Sequence, residues 1–145
     1  QRLVGSVTIL ALVVLVAVRL PAMSLRADDQ AHQFLDAMLA AAEPGSILVS
    51  SADAETFALW YGAWGSGELL ALDPDPILVN YALLQFPWYR RQLAEQYPDV
   101  SGMGGSWEEL LAANAGRRPI YFSERLSVMP DNALQPVGPV WRYVE

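Results

Sequence analysis

The chain has 145 residues, 53% of them hydrophobic, and a formal net charge of −7 with a pI near 4.6. That acidity excludes a nucleic-acid partner, which requires a basic face. The absence of cysteine excludes disulfides, thiolate metal sites and a cysteine nucleophile, and the single histidine, His32, would have to serve any Ser-His-Asp triad.

Residues 3–18 form an unbroken apolar run between Arg2 and Arg19. Three readings compete for it: the tail of a transmembrane helix, the core of a signal peptide, and a buried helix. The lack of acids and the length, only slightly short of a span, favour the first. Because the chain begins with Gln, the amino end of that segment is expected to be missing. Pro21 is expected to stop the helix, and residues 21–27 to form a linker to a soluble domain over 28–145. In residues 21–145, seven arginines face sixteen acids.

Over residues 28–42, Ala31, Phe34, Leu35, Met38, Leu39 and Ala42 recur with helical period and make one apolar stripe. Asp28 or Asp29 is expected to cap this helix. His32 lies just off the stripe as a solvated residue, and no spacing of ligands predicts a metal site. Residues 47–50 are a short apolar run after a Pro-Gly turn, hence a buried strand. The polar turn Ser50-Ser51-Ala52-Asp53-Ala54-Glu55-Thr56 follows, with Ser51 or Asp53 as the expected cap of the next helix. That helix carries Phe57, Trp60, Tyr61 and Trp64 at i, i+3, i+4 and i+7. Core packing against the sheet is the favoured reading of this stripe; the functional alternatives are a sugar-stacking surface or a membrane-interface belt.

Residues 68–72 suggest an edge strand and residues 77–84 a second buried strand, with Asn80 as a polar interruption. Between them Asp73-Pro74-Asp75-Pro76 is a rigid turn. Pro87 is suited to the first position of a third helix, and Trp88, Tyr89 and Arg90 sit at its start. Ser106-Trp107-Glu108-Glu109 is a capping box opening a fourth helix. The glycine loop before it is no phosphate loop, because no Gly-Lys-Ser/Thr follows. Residues 119–123 predict a third buried strand, and residues 134–144 a terminal edge piece interrupted by two prolines.

Strands alternating with helices predict an α/β fold: a small three-layer sandwich with a mainly parallel sheet in Rossmann-like order and a C-terminal edge hairpin. An N-terminal transmembrane helix fragment is expected to precede it, over residues 1–20. The carboxyl ends of the strands are where such a sheet places a ligand. Ser51, Asp53, Glu55, Thr56, Trp88, Tyr89 and Arg90 are therefore the candidate acceptor- or glycan-binding residues, with no catalytic residue assigned. Asp53 and Glu55 could do acid–base work in principle, but helix capping accounts for them more simply. No Gly-x-Ser-x-Gly elbow supports a hydrolase.

The segments SADAETFALWY, DPDPILVNYALLQFPWYRRQL, RRPIYFSE and LQPVGPVWRY resemble the region after the last spans of a family of multi-spanning membrane proteins. Animal members of that family are protein O-mannosyltransferases, and its membrane core is similar to the glycosyltransferase-C class. The matches centre on Asp53, Glu55, Thr56, Phe57, Leu59, Trp60 and Tyr61, then on Asn80, Leu83, Leu84, Trp88 and Tyr89, then on Arg118, Pro119, Tyr121 and Phe122. Ala52 and Ala54 stand where the family has Gly and Asn. The resemblance implies an extracytoplasmic C-terminal domain of a membrane-embedded glycosyltransferase, accessory to catalysis or positioning the acceptor. The complete enzyme would use a polyprenyl-phosphate-linked sugar, and no cofactor is implied for this fragment. The implied partners are the membrane, an upstream multi-spanning core and a glycan or protein acceptor. The alternative is a membrane-tethered, non-catalytic binding module.

Overall fold

The computed structural model describes residues 2–23, 29–130 and 132–144. Helix α1 (Arg2–Met23) is followed by α2 (Gln30–Ala41), β1 (Ile47–Ser50), α3 (Asp53–Trp60) and a π-helical turn (Tyr61–Gly65). Then come α4 (Glu68–Leu72), β2 (Ile77–Asn80), a 3-10 turn (Ala82–Gln85), α5 (Pro87–Gln96) and α6 (Trp107–Asn114). Strands β3 (Ile120–Phe122), β4 (Leu134–Val137) and β5 (Val140–Tyr143) complete the chain.

The apolar runs become strands because both of their faces are buried. Ile47, Val49, Ile77, Val79, Ile120 and Phe122 point into one apolar cluster with Leu93 of α5 and Leu110 of α6. Leu48, Leu78 and Tyr121 point the other way, onto Leu35 and Met38 of α2, Leu59 of α3 and Leu69 of α4. This is the period-two alternation of a strand with a helical layer on either side.

The five strands lie in the order β2-β1-β3-β5-β4. β1 pairs in parallel with β2 and β3, whereas β3–β5 and β4–β5 are antiparallel. The expectation of a mainly parallel, Rossmann-like sheet is therefore corrected: the sheet is mixed. Parallel neighbours need a crossover, in practice a helix. Helices separate β1, β2 and β3, but none follows β3, so the chain returns as a hairpin. Gly138, at φ +62°, opens the two-residue turn of that hairpin, the position where a II′ turn requires glycine.

The amino-terminal expectation is corrected too. Among the described residues no helix is long and apolar enough to cross a membrane. The unbroken apolar run inside α1 is residues 3–18, about 24 Å of helix against ~30 Å of hydrocarbon. Pro21 does not end the helix, and Arg19 lies within it. Residues 24–27 of the expected linker, and Asp28, lie outside the described residues. Residues 68–72 are helix α4 rather than a strand, with Gly67 at φ +78° immediately before it. The second strand stops at Asn80 because the Asn80 side chain accepts the Leu83 N–H at 2.9 Å and curls the chain into the 3-10 turn.

β2 is an edge strand, so the N–H groups of Leu78 and Asn80 have no neighbouring strand to bond. Two tyrosines serve instead. The Tyr97 hydroxyl accepts from Leu78 N at 3.1 Å and donates to Pro76 O at 3.1 Å, and the Tyr89 hydroxyl accepts from Asn80 N at 2.8 Å. Covering the edge in this way removes a template for strand pairing between chains.

Tyr97→Phe should cost about 1–3 kcal/mol in chemical denaturation, by leaving a buried N–H unpaired. Burial is the leading cause that raises both phenol pKa values, outweighing the lowering effect of the N–H bonds from Leu78 and Asn80. The neutral phenol is thus the folded form. Its contribution is complete below the unfolded pKa of about 10 and is lost as pH rises through the higher folded values. The melting temperature should fall above about pH 10, less steeply in Tyr89→Phe and Tyr97→Phe; an unchanged slope would refute this assignment.

Candidate functional site

The carboxyl ends of β1, β2 and β3 meet the amino end of α3. The order of the parallel strands places β2 on one side of β1 and β3 on the other, so the switch point, where a ligand crevice is expected, lies between β1 and β3.

Thr56 is the centre of this edge. Its hydroxyl donates to Ala52 O at 2.9 Å and accepts from the Asn80 side-chain amide at 2.9 Å. It also lies 2.7 Å from the Ser50 hydroxyl. A hydroxyl has one proton and two lone pairs, so with the proton on Ala52 O, Ser50 must be the donor. Every hydrogen-bonding position of Thr56 is then used. Glu55 closes the crevice itself: its Oε2 accepts from Ser123 Oγ at 2.7 Å and from Ala52 N at 3.3 Å.

The expected helix cap differs. The residue before α3 is Ala52, which has no side-chain acceptor, and neither Ser51 nor Asp53 takes that part. Only the reciprocal half of a capping box exists, from Glu55. Asp29 likewise makes no side-chain cap on α2. The capping box at Ser106 is complete: Glu109 N donates to Ser106 Oγ at 3.3 Å, and Ser106 N donates to Glu109 Oε2 at 2.8 Å.

The candidate residues therefore divide. Glu55, Thr56 and Tyr89 direct their polar atoms into the fold. Asp53 is exposed and Ser51 half-buried. Trp88 is exposed and stacks near-parallel on Phe86, with centroids 6.2 Å apart. Arg90 donates to Leu84 O at 3.3 Å and lines a cavity of about 380 Å³ with Tyr81, Ser106 and Trp107. The hydrogen bonds join Glu55, Thr56 and Tyr89 through Ser123 and Asn80; Trp88 makes no bond to that network.

The aromatic stripe is the largest departure from expectation. Phe57, Tyr61 and Trp64 are 60%, 59% and 61% exposed. The packing of α3 on α2 explains this. Gly62 and Ala63 are buried, as are Ala58 and Leu59, and a Cβ on Gly62 would lie 2.6 Å from Leu35. Two helices this close accept only small side chains between them. Phe57, Tyr61 and Trp64 are left on the outer face, whereas Trp60 is half-buried and packs against the core cluster as expected, meeting Phe57 edge-to-face at 5.6 Å. The signal in the sequence is the small-residue series Ala58, Gly62, Ala63, opposite the aromatics.

A groove of about 430 Å³ runs beside this row, lined by His32, Leu35, Phe57 and Tyr61 among others. At its margin His32 and Asp36 of α2 meet Glu68 of α4, with their ligand atoms all within 4.8 Å of one another. Spacing could not reveal this cluster, because Glu68 is remote in sequence from the other two.

Thr56→Val should strand the Ser50 hydroxyl and the Asn80 amide without an acceptor and cost about 2–4 kcal/mol in urea unfolding. Thr56→Ser keeps the hydroxyl and should lose only about 1 kcal/mol of buried methyl. Equal losses in the two variants would contradict the hydrogen-bond assignment.

Among known families, the model described as TMEM260-associated domain 2 matches residues 27–110, more than half of the chain. The matched segment contains α2, β1, α3, α4, β2 and α5, and so holds the Thr56 centre and the aromatic row. No curated protein and no solved structure matches the chain.

Proposed function

The chain belongs to the TMEM260-associated domain 2 family, and from that membership we propose that it is a non-catalytic accessory domain of a TMEM260-type membrane protein engaged in glycosyl transfer. In this reading it works on the extracytoplasmic side. It positions a protein or glycan acceptor for a membrane core that draws on a polyprenyl-phosphate-linked sugar. The motif resemblance to the protein O-mannosyltransferase family supports the reaction class.

The observation that carries the proposal is the aromatic row Phe57, Tyr61 and Trp64, exposed within the segment the family model matches. Exposed aromatic side chains in one row mark a surface that another molecule covers, and tyrosine and tryptophan supply large contact area at low entropic cost. A non-catalytic role is supported by the strand-end edge, where Ser50, Glu55, Thr56, Asn80 and Ser123 bond to one another. A general base must reach a substrate proton, and these groups are directed at their neighbours. Ser51, Asp53, Trp88 and Arg90 remain as candidate contacts for the acceptor.

The test combines Phe57→Ser, Tyr61→Ser and Trp64→Ser in the complete TMEM260-type protein. All three rings are exposed, so folding should persist, with far-UV circular dichroism unchanged and stability within about 1 kcal/mol. Transfer from the polyprenyl-linked sugar should fall at least about tenfold, through weaker acceptor binding. Normal transfer by the triple variant would sink the assignment of this face. Normal transfer after deletion of residues 28–145 would sink the accessory role altogether.

A further inference from the structure

The geometry points to a divalent-cation site made by His32, Asp36 and Glu68, of the zinc class, at the margin of the aromatic groove. His32 and Asp36 are four residues apart on α2, which places them one turn apart on the same helix face. Glu68 is the first residue of α4. The three ligand atoms lie within 4.8 Å of one another. Tetrahedral zinc with bonds near 2.0–2.2 Å needs ligand separations of about 3.3 Å. The difference is within reach of side-chain rotation at a surface where His32 and Asp36 are exposed and Glu68 is half-buried.

Three observations support the assignment. First, the backbone beneath the cluster is held rigidly. Leu35 and Leu69, the immediate neighbours of Asp36 and Glu68, are each 1% exposed and share one apolar cluster. Ligands carried on packed helices keep their spacing. Second, among the described residues no hydrogen bond or ion pair occupies these three side chains, in contrast to several acids elsewhere. Asp73 accepts from Gly45 N at 2.7 Å, Glu43 pairs with Arg142 at 3.0 Å, and Glu55 holds Ser123. Third, the donor set selects the metal. One imidazole nitrogen with two carboxylate oxygens suits zinc and its neighbours, whereas calcium and magnesium take oxygen ligands alone. Three protein ligands leave a fourth position open to water or to a ligand in the groove. His32 belongs to both the cluster and the groove lining.

The sole histidine makes the test direct, because the imidazole nitrogen resonances of the 145-residue chain can only come from His32. Chelator-treated protein is titrated with zinc chloride and followed by 15N NMR and calorimetry. The expected result is 1:1 binding, with one imidazole nitrogen shifting to the metal-bound range and a rise in melting temperature. His32→Gln should abolish binding, and Asp36→Asn and Glu68→Gln should each weaken it about tenfold or more. Glu95→Gln, an exposed carboxylate on α5 in the opposite helical layer, should leave affinity unchanged. The proposal is overturned if zinc leaves the imidazole signals in place. It is equally overturned if Asp36→Asn and Glu68→Gln bind as tightly as the parent. This site does not depend on the accessory role in glycosyl transfer, and its readout requires no transfer activity.

Discussion

The hydroxyl of Thr56 is the constraint on which the upper edge of the sheet depends. Three elements end within its reach: β1 through Ser50, β2 through Asn80, and α3 through Ala52. Ser50, Thr56 and Asn80 are buried, so each of these polar side chains would carry a desolvation cost without its partner. One side chain with one proton and two lone pairs satisfies the group together. Glu55, its neighbour, extends the connection across the switch point to Ser123 after β3. The place where an α/β sheet commonly opens to a ligand is here occupied by the bonds that join its strands.

That occupation moves attention from the strand ends to the helical layers, which differ from one another. On the α5 and α6 side three aromatics are inside: Tyr89, Tyr97 and Trp107 are buried, Trp107 meets Phe122 edge-to-face at 5.5 Å, and Trp88 with its neighbour Phe86 stays exposed there. The tyrosine hydroxyls there protect the edge of β2. On the α2 and α3 side Phe57, Tyr61 and Trp64 are outside, because Leu35 of α2 presses on Gly62 and leaves no room for a side chain at that position. The first layer serves the core. The second presents rings, a groove and three metal-ligating groups to the surroundings.

The far edge is stabilised differently again. Glu43, before β1, accepts from the Tyr121 hydroxyl at 3.2 Å and pairs with Arg142 of β5, whose guanidinium lies 5.7 Å from the Tyr121 ring centre. Burial is the leading cause that raises the Tyr121 pKa, with Arg142 acting against it. The ion pair is exposed and contributes little energy. Its geometry nonetheless joins the antiparallel hairpin to the turn that precedes the central strand.

Much of the element order was legible in the residues. The stripe of Leu35 and Met38 marked α2, the runs at 47–50, 77–84 and 119–123 marked buried strands, of which the second ends four residues early at Asn80, and Ser106 with Glu109 marked the start of α6. These signals are local: hydrophobic period and capping depend on neighbours within a turn or two. Local signals also misled. Residues 68–72 are too short for a periodic pattern to separate helix from strand, and aromatic period by itself does not say which face is buried.

Amino-acid order alone determined which segments could form helices or strands, the acidity, and the exclusion of thiol chemistry. Only the tertiary structure decided the mixed sheet, since pairing direction depends on the connection leaving β3 rather than on β3 itself. Only it turned Phe57, Tyr61 and Trp64 outward, since their direction is set by the approach of α2. Only it brought Glu68 to His32 and Asp36, since the packing of Leu35 and Leu69 in one core sets that distance. Each is a contact between residues remote in sequence, and such contacts leave no trace in local period or composition.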